Sequence, residues 1–252
     1  MVHLIERNYE RDTVYLYQFP GSSTASSMSP YCIKVEAFCR LHNLKVMRRY
    51  TTTARGKNKK LPMIELNGEQ IADSQIILRR LAQHFNLKVY PDPLTAGLGH
   101  SIERTLDNHT VHLLQYDQTR VITEIMRVML TGMVPSIVRP IAVPLGAWAF
   151  KRNLLSATRD SIGRFTDDEY DELLKNDLDQ LQNILGENSF LLGEEPTQVD
   201  CVALGHFGSS YYCIPSARSH INELIESAEF ASLRAYLERV KQRIFGNEFC
   251  QK

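Results

Sequence analysis

The sequence predicts an α/β unit followed by an all-α unit, and three observations carry that expectation. Strand-type patterning is confined to the stretch before Asp73. Tyr90-Pro91-Asp92-Pro93-Leu94 then interrupts the chain as a natural linker. Beyond it the periodicity is helical throughout, with two capping boxes and no alternating run. The expected units are residues 1–88 and 89–252.

Val14-Tyr15-Leu16-Tyr17-Gln18-Phe19 alternates and is rich in aromatic and β-branched residues, which marks a strand. A loop of small residues, 20–27, leads to Ser29-Pro30, a cap and a first-turn proline. The helix they open runs through Ile33, Val35, Phe38, Cys39 and Leu41 to about Asn43. Lys45 to Tyr50 forms a second strand, and 51–60 a basic loop. Met63 to Leu66, the type I′ turn Asn67-Gly68 and Gln70 to Ala72 form a hairpin. Asp73-Ser74 opens a helix with Ile76, Ile77, Leu81 and Phe85 on its apolar face. A β-α-β unit followed by a hairpin and a helix is the build of a thioredoxin-like sheet.

In the second unit, Ile102 to Arg127 has the pattern of one long helix. Thr166-x-x-Glu169 boxes the next, which carries Tyr170, Leu173, Leu174, Leu178, Leu181, Ile184 and Leu185 and stops at Gly186. Thr197-x-x-Asp200 opens a largely apolar, hence buried, helix through Val202, Ala203, Leu204 and Phe207. Leu224 to Ile244 supplies the last helices.

Composition narrows the function. Basic and acidic residues number 29 each, so no global field recommends nucleic acid as a partner. Five cysteines lack the density of a disulfide framework, and no secretory h-region precedes the polar opening, which fits a cytoplasmic, reducing address. Eight histidines show no metal-ligand spacing, so no metal site is expected.

The first unit points to a small acidic peptide as ligand. A cis Leu61-Pro62 bond would turn the Leu61 backbone toward an extended peptide. The Asp73-Ser74 amides at a helix N-terminus would seat a carboxylate. Lys57, Lys59 and Lys60 could pair a second carboxylate, although a solvated basic loop is commoner. Val128 to Phe150 is apolar and contains Trp148, but Arg139, Pro135, Pro140 and Pro144 argue against a bilayer span. The prolines are expected to break it into short pieces packed on the helical core and cleft wall.

This architecture resembles the glutathione transferases, on the strength of Leu61-Pro62, Asp73-Ser74 and the Thr197-x-x-Asp200 box. A closer resemblance is to the failed axon connections family of transferase-like proteins, related to metaxins. Leu16-Tyr17-Gln18-Phe19-Pro20, Ser29-Pro30-Tyr31-Cys32, Ile162-Gly163-Arg164, Phe190-Leu191-Leu192-Gly193 and Gly205-His206 carry it along nearly the whole chain. The resemblance implies a glutathione transferase fold. It also implies glutathione bound between Ser29, Lys60, Leu61, Pro62, Asp73 and Ser74, with a small apolar electrophile near Tyr116 and Arg120. Ser29 or Tyr17 would steady the thiolate, and Cys32 stands where glutaredoxins keep a resolving cysteine. Homodimerisation is implied as well. The alternative is a non-catalytic adaptor that uses 128–150 for a protein or peripheral membrane contact.

Overall fold

The computed structural model describes residues 4–52, 60–131, 134–214 and 217–250. Lys57 and Lys59 lie outside the described residues. Four strands, β1 (Val14–Gln18), β2 (Val46–Tyr50), β3 (Met63–Leu66) and β4 (Glu69–Ala72), form one sheet in the order β2-β1-β3-β4. β1 pairs parallel with β2 and antiparallel with β3. The β3–β4 hairpin turns at Asn67-Gly68, both at positive φ (49° and 82°), as a type I′ turn requires. Leu61-Pro62 is cis, as expected.

Helices α1 (Pro30–Leu41) and α2 (Ser74–His84) complete this part. The buried face of α2 is Ser74, Ile77, Leu78 and Leu81. That is the full i, i+3, i+4, i+7 set, and it corrects the expected one: Ile76 falls off the stripe and is 47% exposed.

The remaining described elements are helical: α3 (Pro93–Thr105), α4 (Val111–Gln118), α5 (Ile122–Leu130), α6 (Arg139–Ile162), α7 (Asp167–Leu185), α8 (Gln198–Phe207), α9 (His220–Glu226) and α10 (Ala231–Phe245). The expected linker is the start of α3, where the Asp92 carboxylate accepts from the Leu94 and Thr95 amides at 2.9 and 3.0 Å. The long helix expected over 102–127 begins earlier and ends earlier. It relaxes to a π-helical turn over Leu106–Thr110 and breaks at 119–121 before α5. Both capping boxes are made. In the second, the buried Asp200 carboxylate also accepts from the Leu191 amide (3.1 Å) and the Tyr236 hydroxyl (2.8 Å).

The expected break of the apolar segment occurs around Pro135, between the end of α5 at Leu130 and the start of α6 at Arg139, but Pro140 and Pro144 do not fragment it further. α6 is continuous for 24 residues, because Pro140 lies in its first turn and Pro144 removes one donor in its second. Burial also departs from expectation. Val143 and Ala147 pack beneath α5, while Ile137, Ile141, Leu145 and Trp148 are exposed.

One apolar core joins the sheet to the helices, with Leu16, Ile33, Phe38 and Ile77 continuous with Leu204, Phe207 and Leu237. At its centre α1 and α8 approach closely at Gly205. A Cβ there would meet the Pro30 carbonyl oxygen at 2.6 Å and Lys34 Cβ at 3.0 Å. Gly205→Ala should therefore lower stability by about 1–3 kcal/mol, read as a shifted urea midpoint. An unchanged midpoint would mean that the two helices part freely.

Candidate functional site

A cavity of about 450 Å³ lies between the first helix and the helical part. On one side stand Phe19, Ser29, Tyr31, Lys60 and Leu61; on the other, Val111, Leu114, Ile125, Met129, Phe150 and Leu154. His206, Ser209 and Ser210 close one end. The wall is mostly apolar with a few polar groups, the usual make-up of a small-molecule site.

Ser29 occupies the N-cap of α1, yet its hydroxyl makes no cap bond. It lies within hydrogen-bonding reach of the Cys32 thiol. Cys32 is fully buried, and that burial pushes its thiol up to about 11 although the Ser29 hydroxyl opposes the shift. At neutral pH Cys32 is a protonated thiol, unsuited to nucleophilic or redox work.

Of the other expected residues, Lys60 and Leu61 border the cavity with Ser29, while Pro62, Asp73 and Ser74 are not among its lining residues. Asp73 holds a strained backbone (φ 80°, ψ 124°), a conformation that costs a non-glycine residue about 1–3 kcal/mol. From there its own carboxylate accepts from the Gln75 and Ile76 amides at 3.0 and 3.3 Å. Its side chain thus caps the Gln75 and Ile76 amides, which are not the Asp73 and Ser74 amides expected to seat a ligand carboxylate.

Tyr17 is buried against the sheet, and its hydroxyl donates to Glu65 at 3.1 Å. Burial and the neighbouring carboxylate raise its pKa above the ordinary phenol value. Tyr116 and Arg120 also lie away from the cavity wall, because both are bound to α7. Tyr116 stacks on Tyr170 and donates to Asp167, while Arg120 donates to Asp171 at 2.7 Å. The helical side of the cavity is instead mainly apolar, with Gln115, Gln118 and Ser219 as polar members besides His206, Ser209 and Ser210.

A buried polar cluster stands behind this wall. Asp107, in the π-helical turn, accepts from Lys34 Nζ (2.7 Å) and Arg104 Nη2 (3.0 Å), and pairs with His206 Nε2 (2.9 Å). Gln75 Nε2 adds a longer bond at 3.3 Å. Burial alone would raise the Asp107 carboxyl, but the His206 hydrogen bond and the Lys34 charge outweigh it and hold it well below the usual range. Burial lowers His206, which stands neutral. A second π-helical turn, Gly208–Tyr212, follows His206 and brings Ser209 and Ser210 to the cavity. π-turns inside helices gather at functional sites, and both of these lie beside this one.

Sequence reasoning did not find this cluster. Lys34 shares its helix with Glu36 and Arg40, so it does not stand out in the sequence, and nothing local points to Asp107.

Comparison with known proteins agrees with the fold. The family model described as Glutathione S-transferase N-terminal domain matches residues 30–123, and the Glutathione S-transferase C-terminal domain model matches 174–240. The chain belongs to the glutathione S-transferase-like proteins. It is 29% identical to Failed axon connections of Drosophila melanogaster over 97% of its own length. It spans 62% of that relative. Among solved structures, the β-etherase LigF of Sphingobium sp. strain SYK-6 superposes with a TM-score of 0.65 at 14% identity, covering 94% of this chain and 98% of that one. The transferase CsGST63524 of Ceriporiopsis subvermispora, solved in complex with glutathione, gives 0.59 at 15% identity, over 90% and 97%. For this transferase-like chain the solved structures speak to the fold alone. No helix among the described residues is long and apolar enough to cross a membrane.

Proposed function

We propose that this protein binds glutathione in the cavity and joins it through its sulfur to a small apolar electrophile, or reduces that electrophile. The observation that supports this most is the make-up of the cavity. Ser29 and Leu61 stand on one side, and an apolar wall of Val111, Leu114, Ile125, Met129 and Phe150 stands opposite. Lys60 would pair a peptide carboxylate, and the Ser29 hydroxyl, not spent on capping, would donate to the thiolate. The thiol would give its proton to solvent, and the thiolate sulfur would bond to the electrophilic carbon. In substitution the displaced group would leave with the electron pair; in addition the opened π pair would take up a proton. In a reduction a second glutathione would attack the sulfur of that adduct, leaving as the disulfide while the substrate takes the electron pair and a proton. A detoxifying role, a cytoplasmic setting and a homodimer belong to the same proposal. That CsGST63524 was crystallised with glutathione supports it by likeness of fold.

A second reading, a non-catalytic adaptor of the failed axon connections type, is favoured by the position of Pro62, Asp73 and Ser74, which do not line the cavity. Calorimetric titration with glutathione, followed by conjugation assays on a panel of electrophiles, decides between them. A saturable isotherm with turnover is expected. No heat of binding and no product would leave the adaptor.

A further inference from the structure

Helix α6 turns to solvent a face that no described element covers. Ile137, just before the helix, and then Ile141, Leu145 and Trp148 follow at steps of three or four residues and are 86%, 71%, 62% and 61% exposed. Such steps stack side chains on one side of a helix, so Ile141, Leu145 and Trp148 make one ridge, with Ile137 exposed in the turn that leads into it. Four residues on from Trp148 the ridge becomes basic. Arg152 lies with its guanidinium 5.8 Å from the Trp148 ring centre. Lys151, Arg159 and Arg164 join it around a surface depression of about 440 Å³. Between Arg127 and Asp160 the sequence has no acidic residue and four basic ones, in a chain whose formal charge is zero. Asp160, the acid at the end of this stretch, accepts from Ser156 at 3.3 Å.

We propose that this face of α6 docks on an anionic lipid bilayer. Ile141, Leu145 and Trp148 would enter the boundary between headgroups and acyl chains, and Lys151, Arg152 and Arg159 would lie over the anionic headgroups. A helix with tryptophan and aliphatic side chains on one stretch and arginine or lysine beside it lies in the interface plane rather than across it. The charge sign also argues for lipid over a second copy. A two-fold contact sets the same patch on both sides, and this one offers its basic residues no carboxylate but Asp160, whereas an anionic bilayer offers many. The proposal is independent of glutathione binding, because the ridge is on the opposite face of α6 from Phe150 and Leu154.

Trp148 is the chain's single tryptophan, so its emission reports on the docking face alone. The test mixes the full chain with phosphatidylcholine vesicles that do or do not contain phosphatidylserine, and reads both Trp148 emission and flotation. A blue shift and flotation are expected with the anionic vesicles, and reversal at high salt. Arg152→Glu and Arg159→Glu should weaken binding at least fivefold each, given roughly that factor per basic residue at such a surface. Leu145→Glu should abolish it with thermal stability and any glutathione isotherm unchanged. Equal behaviour on both vesicle types, or no flotation, overturns the proposal. So does self-association in solution that Leu145→Glu disrupts without flotation of the parent, which would make the ridge an interface between copies.

Discussion

Asp107→Ala is expected to cost about 3–5 kcal/mol of folding free energy, a large share of the roughly 5–15 kcal/mol a domain has. The variant leaves Lys34, with a side chain only 1% exposed, as a buried charge facing a second cation, Arg104. Asp107→Asn should cost less, since it keeps an acceptor. Lys34→Met combined with Asp107→Leu should recover part of the loss, because removing both members of a buried pair spares the orphaned charge. Urea midpoints of the three variants measure this, and a near-neutral Asp107→Ala would show that water reaches the site.

The same cluster sets a pH dependence with two windows. His206 is held neutral by burial, so on acidification the unfolded chain takes up its proton near pH 6.5 and the native state does not. Stability should therefore fall as pH drops below about 6.5, and His42 and His112, also lowered by burial, pull the same way. Asp107 has a depressed native pKa, so its contribution is complete above about pH 4 and is lost below that. In His206→Gln the slope of the upper window should flatten.

Ser29→Ala is expected to slow conjugation about ten- to a hundred-fold, the loss of a charge-assisted hydrogen bond worth about 1.5–3 kcal/mol. Affinity for glutathione should change much less at a pH where the bound thiol stays protonated. The fold provides the control. The Ser29 hydroxyl makes no cap bond, so α1 does not depend on it. Tyr17→Phe should do the reverse, lowering stability by removing a donor from Glu65 while leaving the rate intact. If Tyr17→Phe abolishes turnover and Ser29→Ala does not, Ser29 is not the donor.

What the sequence disclosed was local. The β3–β4 hairpin was legible because Asn67-Gly68 permits little else, and the boxes at Thr166 and Thr197 were legible because both partners lie within one turn. Helix α6 runs longer than expected because Pro140 falls in the first turn, where no intrahelical donor is needed, and Pro144 inside the helix removes a single bond that the rest of the helix outweighs. Tyr116 and Arg120 were drawn away from the cavity by α7, whose Asp167 and Asp171 lie 51 residues on from each. Lys34 meets Asp107 across 73 residues, and His206 meets it across 99, separations at which no spacing rule operates.

The cluster around Asp107 also limits how modular this molecule is. Lys34 and Gln75 come from the sheet-bearing half, and Arg104, Asp107 and His206 from the helical half. A chimera that joined either half to the corresponding half of another transferase-like chain would bury an unmatched lysine or an unmatched aspartate, unless both donors carried the same pair. The junction thus acts as a compatibility lock, and shuffled libraries of this architecture should yield soluble members mainly where positions 34 and 107 travel together.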